Sequence, residues 1–293
     1  MNSENTLRLA FYDSGIGGFS VLREFLKFFK EINQLAQADK ASSGINLPEL
    51  KIEIHYIADS ARAPYGARSL EDIKRYVYEF SDFAANLGID YFISACNTSS
   101  NLFEDLDFSA YKFKTLNLFT TLNSFLEKEK ETLALANLYY LATKANIASG
   151  KYHNLALKVN PIACPKLVPL IEKFNFDEAL SVLETEYLGN VENEENAEIG
   201  VQQRGGTVVE RANSRLTRTS DRNILILGCT HYALLKHLLG KYSIIDPAEL
   251  ILKEFSEDFT ISKLSSINLN TYSTGENSSL IMSTKELTLS NEI

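Results

Sequence analysis

Cysteine is scarce in this 293-residue chain: Cys96, Cys164 and Cys229 are an odd, sparse set that cannot form a disulfide framework. Any cysteine chemistry therefore uses free thiols or thiolates, and the expected setting is a reducing cytoplasm. No run approaches the roughly 18 consecutive apolar residues of a membrane span. The opening MNSENTLRLAF has no basic start followed by a long apolar stretch, so no secretory signal is expected. Basic residues are in the minority, 29 Lys and Arg against 38 Asp and Glu, for a net charge of −9. Such a chain lacks the basic footprint of sequence-independent nucleic-acid binding and is ill suited to anionic membrane surfaces. Only four histidines are present (His55, His153, His231, His237). None forms an i, i+4 pair and no Cys-x-x-Cys occurs, so a zinc site is not expected.

What is present is a soluble, globular composition, 45% hydrophobic and 23% charged, which excludes wholesale disorder. Leu7 to Tyr12 reads as a strand, followed by the loop Asp13-Ser14-Gly15-Ile16-Gly17-Gly18. Leu22, Phe25, Leu26 and Phe29 then repeat at helical spacing. Gln34 to Leu50 is expected to be an extended connection, and Ile52, Ile54 and Tyr56 alternate into a second strand ending near Asp59. A helix is expected over 70–86 and a strand at Tyr91 to Ser94. Further buried strands are expected at Leu116 to Phe119, Leu138 to Leu141 and Ile224 to Leu227. Short apolar strands alternating with helices predict an α/β fold with a largely parallel sheet. Residues 189–222 stand apart: polar, acidic at the start (Glu192, Glu194, Glu195, Glu198) and basic at the end (Arg204, Arg211, Arg215, Arg218, Arg222). They read as a mobile surface insertion, and the polar tail after Tyr272 reads as partly loose.

Two segments share one plan. Tyr91-Phe92-Ile93-Ser94-Ala95-Cys96-Asn97-Thr98 and Asn223-Ile224-Leu225-Ile226-Leu227-Gly228-Cys229-Thr230-His231 each run from an apolar strand, through a small residue and a cysteine, into hydrogen-bonding residues at a helix start. Leu234, Leu235, Leu238 and Leu239 supply the helical stripe after the second. A thiol between a strand's carboxyl end and a helix N-terminus sits where the thiolate is favoured, and parallel sheets bind ligands at those strand ends. A single cysteine so placed is often a small buried hydrophobe. Two in matching contexts point to thiols presented to opposite sides of one bound molecule. Cys164, without that setting, is expected to pack.

Asp13 precedes glycines that allow close backbone approach to a ligand. The dinucleotide fingerprint is poorly met, because Ser20 occupies the third glycine position and Asp59 lies 42 residues beyond Gly17 rather than about 20. The Asp13 carboxylate instead suits orienting a substrate ammonium or assisting a neighbouring thiol, with a plain turn or capping aspartate as the bland reading. His231 is two residues from Cys229, close enough to exchange a proton with it or with substrate. His55, in an alternating strand, is expected to be structural or on the surface.

The sequence resembles the glutamate racemase family, within the aspartate/glutamate racemase superfamily. The match lies in Phe11-Tyr12-Asp13-Ser14-Gly15-Ile16-Gly17-Gly18, in Tyr56-Ile57-Ala58-Asp59-Ser60-Ala61-Arg62-Ala63-Pro64-Tyr65-Gly66, in Ala95-Cys96-Asn97-Thr98 and in Leu227-Gly228-Cys229-Thr230-His231-Tyr232. Ala163-Cys164-Pro165 with Leu167-Val168-Pro169 is a further landmark, and Thr143 to Tyr152 a fainter one. The motifs follow family order from residue 7 to about residue 256.

The resemblance implies two pseudo-symmetric α/β domains with the active site in the cleft between them, expected at 1–119 plus 245–293 and at 120–244. It implies an isomerase that interconverts L- and D-glutamate and supplies D-glutamate for peptidoglycan and so for cell-wall biogenesis and cell shape. No cofactor and no metal are implied. Cys96 and Cys229 would be the acid/base pair, assisted by Asp13 and His231 respectively. Asp13, Ser14, Tyr65, Gly66, Asn97, Thr98, Thr230 and His231 would hold the substrate. A small-molecule substrate and a homodimer are the partners implied, with no nucleic acid and no membrane.

The chain departs from the family pattern at Ala233, usually proline, at Asn117-Leu118-Phe119-Thr120-Thr121, and in the long 189–222 segment. Two other readings remain: an aspartate racemase of the same superfamily, or a racemase-like amino-acid-binding or regulatory protein with little turnover.

Overall fold

The computed structural model describes residues 5–43, 49–189, 223–257, 259 and 263–275. The expected insertion, apart from Gly189, and the tail beyond Gly275 lie outside the described residues. Two all-parallel sheets organise what is described. The first runs β4-β3-β1-β2-β9, built from β1 (Thr6–Asp13), β2 (Glu49–Ala58), β3 (Tyr91–Ser94), β4 (Lys114–Asn117) and β9 (Lys263–Ser273). The second runs β6-β5-β7-β8, from β5 (Asn137–Ala142), β6 (Asn160–Ala163), β7 (Asn223–Gly228) and β8 (Ser243–Ile245).

Each sheet is covered on both faces, which is why its central strands are near-continuous apolar runs. In β1, Leu9 and Phe11 face a core completed by Leu22, Phe25 and Phe29 of α1 (Phe19–Ser43) and by Ile251 and Phe255 of α9 (Pro247–Glu257). Ala10 and Tyr12 face the opposite core, filled by Ile73, Val77, Phe80 and Ala84 of α2 (Leu70–Asn86). In the second sheet, Leu225 and Leu227 pack on α6 (Leu167–Ile171) and α7 (Phe176–Val182), and Ile224 and Ile226 pack on α4 (Leu118–Lys128). The chain passes from the first sheet to the second through α4 and returns through α9. Thr121 donates to Glu254 across these two helices, at 2.5 Å.

Strand order reverses once in each sheet, between β1 and β3 in the first and between β5 and β7 in the second. Open α/β sheets bind ligands at such switch points, outside the strands' carboxyl ends. Asp13 and Cys96 end the first pair of strands, and Thr143 and Cys229 the second.

Three local expectations are corrected. Gln34 to Ser43 continues α1 instead of forming an extended connection: it holds Ala and Gln with neither Gly nor Pro, and Ile32 and Ala36 keep the buried face going. Leu118 and Phe119 are helical, because β4 ends at Asn117, whose side chain accepts from Thr120 N at 3.0 Å and caps α4. After Cys229, α8 (Thr230–Ala233) is a single turn followed by a 3₁₀ turn at Lys236–Leu238. There Lys236 is drawn to Asp246 (3.1 Å) and Glu249 (2.5 Å), while Leu235 and Leu239 still reach the core.

Candidate active site

The two switch points meet at one small cavity. From the first sheet, Asp13 and Ser14 line it after β1, Pro64, Tyr65 and Gly66 after β2, and Cys96, Asn97 and Thr98 after β3. From the second come Thr143, Val168, Cys229, Thr230 and His231. The lining contains two thiols, hydroxyls, an amide, a carboxyl and an imidazole, but no lysine or arginine among the described residues. A bound carboxylate would therefore be met by hydroxyls, backbone N–H groups and the imidazole rather than by lysine or arginine.

The glycine loop makes this convergence possible. A Cβ on Gly17 would overlap His231 Nδ1 and Thr230 Oγ1, and one on Gly15 would overlap Glu172 Oε1. A Cβ on Gly18 would run into Asp13 and the Tyr56 hydroxyl. The glycines thus let the first sheet's loop lie directly against the second sheet's imidazole.

Around Cys96, the Asp13 carboxyl is fully buried. Its Oδ2 accepts from Gly18 N (2.8 Å) and Gly15 N (3.2 Å). Oδ1 has no hydrogen-bond partner among the described residues. Burial raises the Asp13 pKa, against the opposing pull of His231, the two amides and Cys96. The Cys96 thiol lies 3.8 Å from Ser14 Oγ. Burial first, then the neighbouring Asp13 charge, pushes that thiol up to about 12. This corrects the expectation that the helix start favours the thiolate: α3 (Asn97–Ser100) is one turn long, too short for a strong dipole, and desolvation wins.

The other side is built differently. Cys229 Sγ is 3.9 Å from His231 Nδ1, and His231 Nε2 is 2.6 Å from Glu172 Oε1. Burial would lower the imidazole's pKa, but hydrogen bonding to Cys229 and Glu172, together with their charge, holds it well above the ordinary histidine range. Glu172 is pushed up by burial yet ends below its ordinary value, because His231 and the Ile16 amide (3.3 Å) outweigh that cost. Thiol, imidazole and carboxylate form one chain, with Cys229 and His231 buried and Glu172 half-buried.

No protein-family model matches the sequence. The glutamate racemase of Picosynechococcus sp. is 29% identical over 263 residues, 88% of this chain and 75% of the relative. That of Carboxydothermus hydrogenoformans is 27% identical, with 94% of this chain and 89% of the relative covered. Among solved structures, glutamate racemase from Campylobacter jejuni superposes with a TM-score of 0.67 at 23% identity, covering 98% of this chain and all of that one. Over most of its length the chain is similar to glutamate racemases.

Every residue that the racemase resemblance implied for the site, namely Asp13, Ser14, Tyr65, Gly66, Cys96, Asn97, Thr98, Cys229, Thr230 and His231, lines this one cavity. Cys164 lies apart from it, fully buried in the second core, where its backbone carbonyl accepts from the Tyr232 hydroxyl (2.9 Å). Glu172 was missed by sequence reasoning. Its signal is the i, i+4 spacing from Val168 inside the Cys164-Pro165 landmark, which turns both residues to one face of α6 and its cap. That face carries the partner of His231.

Proposed function

We propose that the protein is a glutamate racemase, interconverting L- and D-glutamate by direct proton transfer at the α-carbon. The observation that carries this reading is the pair of cysteines from opposite sheets on one small cavity, each beside its own buried acid/base neighbour. One thiolate removes the α-proton and the opposite thiol delivers its own proton to the other face, so the chain ends with the two sulfurs' protonation exchanged. Cys96, whose thiol is pushed up to about 12, suits the proton-delivering role at neutral pH. His231, held protonated by its neighbours, suits neutralising negative charge on Cys229.

As the α-proton leaves, charge spreads into the α-carboxylate. The Ser14, Thr98 and Thr230 hydroxyls and the nearby backbone amides are positioned to stabilise it without a lysine or arginine. The name carried by the relatives supports glutamate as the substrate, and we take a supply of D-glutamate for the cell wall as the role. We take the two sheets as two lobes, 1–119 plus 245–293 and 120–244, whose approach closes the site, and expect a cytoplasmic homodimer that works without cofactor or metal. No helix among the described residues is long and apolar enough to cross a membrane.

The test is racemisation of either glutamate enantiomer, followed by optical rotation, in the wild type and in Cys96→Ala and Cys229→Ala. Loss of turnover in both variants supports two-base transfer, and near-wild-type turnover in either overturns it. Comparing kcat/KM for glutamate and aspartate fixes the substrate, since one methylene is worth about 10- to 200-fold.

A further inference from the structure

The cavity wall at Pro64–Gly66 is tied to a part of the chain that the reaction does not use. Asp59, at the end of β2, is fully buried, and its backbone N–H donates to Asp13 O at 2.9 Å. Its Oδ2 accepts from the Tyr65 hydroxyl (2.5 Å) and from Arg62 Nε (2.7 Å). Its Oδ1 accepts from the Thr274 hydroxyl (2.7 Å), just beyond β9. The same Thr274 oxygen accepts from Ala61 N (3.1 Å), and Thr274 N donates to Ala58 O (3.2 Å). The Tyr65 hydroxyl spends its only proton on Asp59, so its contact with the Tyr12 hydroxyl uses Tyr12's proton. Tyr65 therefore keeps no hydroxyl proton for a ligand, and it shapes the cavity through its ring and the backbone around it.

We propose that Thr274 is a positioning residue for the active site, acting through Asp59 on Tyr65. The segment after β9 is a strap: it holds Asp59 by the carboxylate oxygen that Arg62 leaves, and Asp59 in turn holds Tyr65 and the 64–66 wall. Replacing the hydroxyl by a methyl leaves a buried carboxylate oxygen without its donor and Ala61 N without its acceptor. The wall then loosens while the cysteines and their acid/base neighbours stay in place. The expectation is thus a defect in holding substrate rather than in moving protons.

This rests on the racemase reading for its kinetic arm and has a second arm that does not. In Thr274→Val, KM for glutamate should rise about 5-fold with kcat changed less than about 2-fold, and Thr274→Ser should restore both. In a Tyr65→Phe background, Thr274→Val should add less than about 2-fold to KM, because the link through which it acts is already cut. A wild-type KM in Thr274→Val, or a full additional effect in the Tyr65→Phe background, overturns the proposal.

Independently of turnover, iodoacetamide labelling of Cys96, read by peptide mapping, should be about 5-fold faster in Thr274→Val and unchanged in Thr274→Ser. Equal rates in wild type and Thr274→Val overturn the strap. If the wild type fails to turn over glutamate, the functional reading fails and the labelling arm still decides the strap. Thr274→Ala, tested alongside and read the same way, covers a fold defect peculiar to valine.

Discussion

Replacing Glu172 by Gln isolates the charge on which the Cys229 side depends. The glutamine keeps the shape of the side chain and an oxygen to face His231 Nε2 at the 2.6 Å site, so packing is preserved and only the negative charge is lost. Glu172's side chain is 27% exposed and His231's 5%, so the pair is screened little by water. A hydrogen bond to a charged partner is worth about 1.5–3 kcal/mol. If that stabilisation serves the transition state, kcat/KM falls by about 10- to 100-fold.

The pH profile gives the sign. His231's pKa is raised against burial by Cys229 and Glu172, so activity that needs the imidazolium is present at low pH and lost as pH rises through the folded-state value. Removing the Glu172 charge brings that value down, and the alkaline limb of kcat/KM should move to lower pH. Because the enantiomers have equal energy, kcat/KM must fall equally from L- and from D-glutamate. Initial rates by circular dichroism, from both enantiomers across the pH range, measure all of this. A kcat/KM within about 2-fold of wild type with an unmoved alkaline limb refutes the role assigned to the Glu172–His231 pair.

Asp13→Asn removes the negative charge that adds to burial in holding the Cys96 thiol at about 12. The thiol's pKa should fall and Cys96 should alkylate faster at neutral pH while racemisation slows, as measured by mapped iodoacetamide labelling beside turnover. Gly17→Ala places a methyl on His231 Nδ1 and Thr230 Oγ1, so activity should drop about 100-fold or more. Circular dichroism should find the fold retained, and near-normal turnover would contradict the close-approach role of this loop. Gly228→Ala pushes a methyl into the Tyr140 ring and Leu141 O beside Cys229, and should cost about 1–3 kcal/mol of stability in denaturant unfolding.

The candidate site was legible in the sequence because its residues lie at or just beyond the ends of strands whose apolar runs are unmistakable: Asp13 ending β1, Cys96 after β3, Cys229 after β7. Parallel sheets deliver such positions to one edge, so reading the strands was nearly reading the pocket. Glu172 escaped because it meets His231 59 residues away and Ile16 156 residues away, partners that its helical spacing from Val168 does not name. β9 escaped because it is an edge strand: Ile267 and Leu269 alternate with Ser and Asn, and it pairs with β2 more than 200 residues earlier. Asn117 was misread because one residue both ends β4 and caps α4, and the apolar Leu118 and Phe119 suit either element. The dipole argument for Cys96 gave the wrong sign because it assumed a long helix, where the chain makes one turn and buries the thiol.

The central claim, direct proton transfer between two thiols, is tested most directly by incubating the purified protein with D-glutamate in D2O, with a chelator present and no added cofactor. α-Hydrogen exchange is followed by NMR and configuration by optical rotation. The expected result is L-glutamate formed with solvent deuterium at its α-carbon, and no such product from Cys96→Ala or Cys229→Ala. Racemisation that retains the original α-hydrogen, or a folded wild-type protein that neither exchanges nor racemises glutamate, would contradict it.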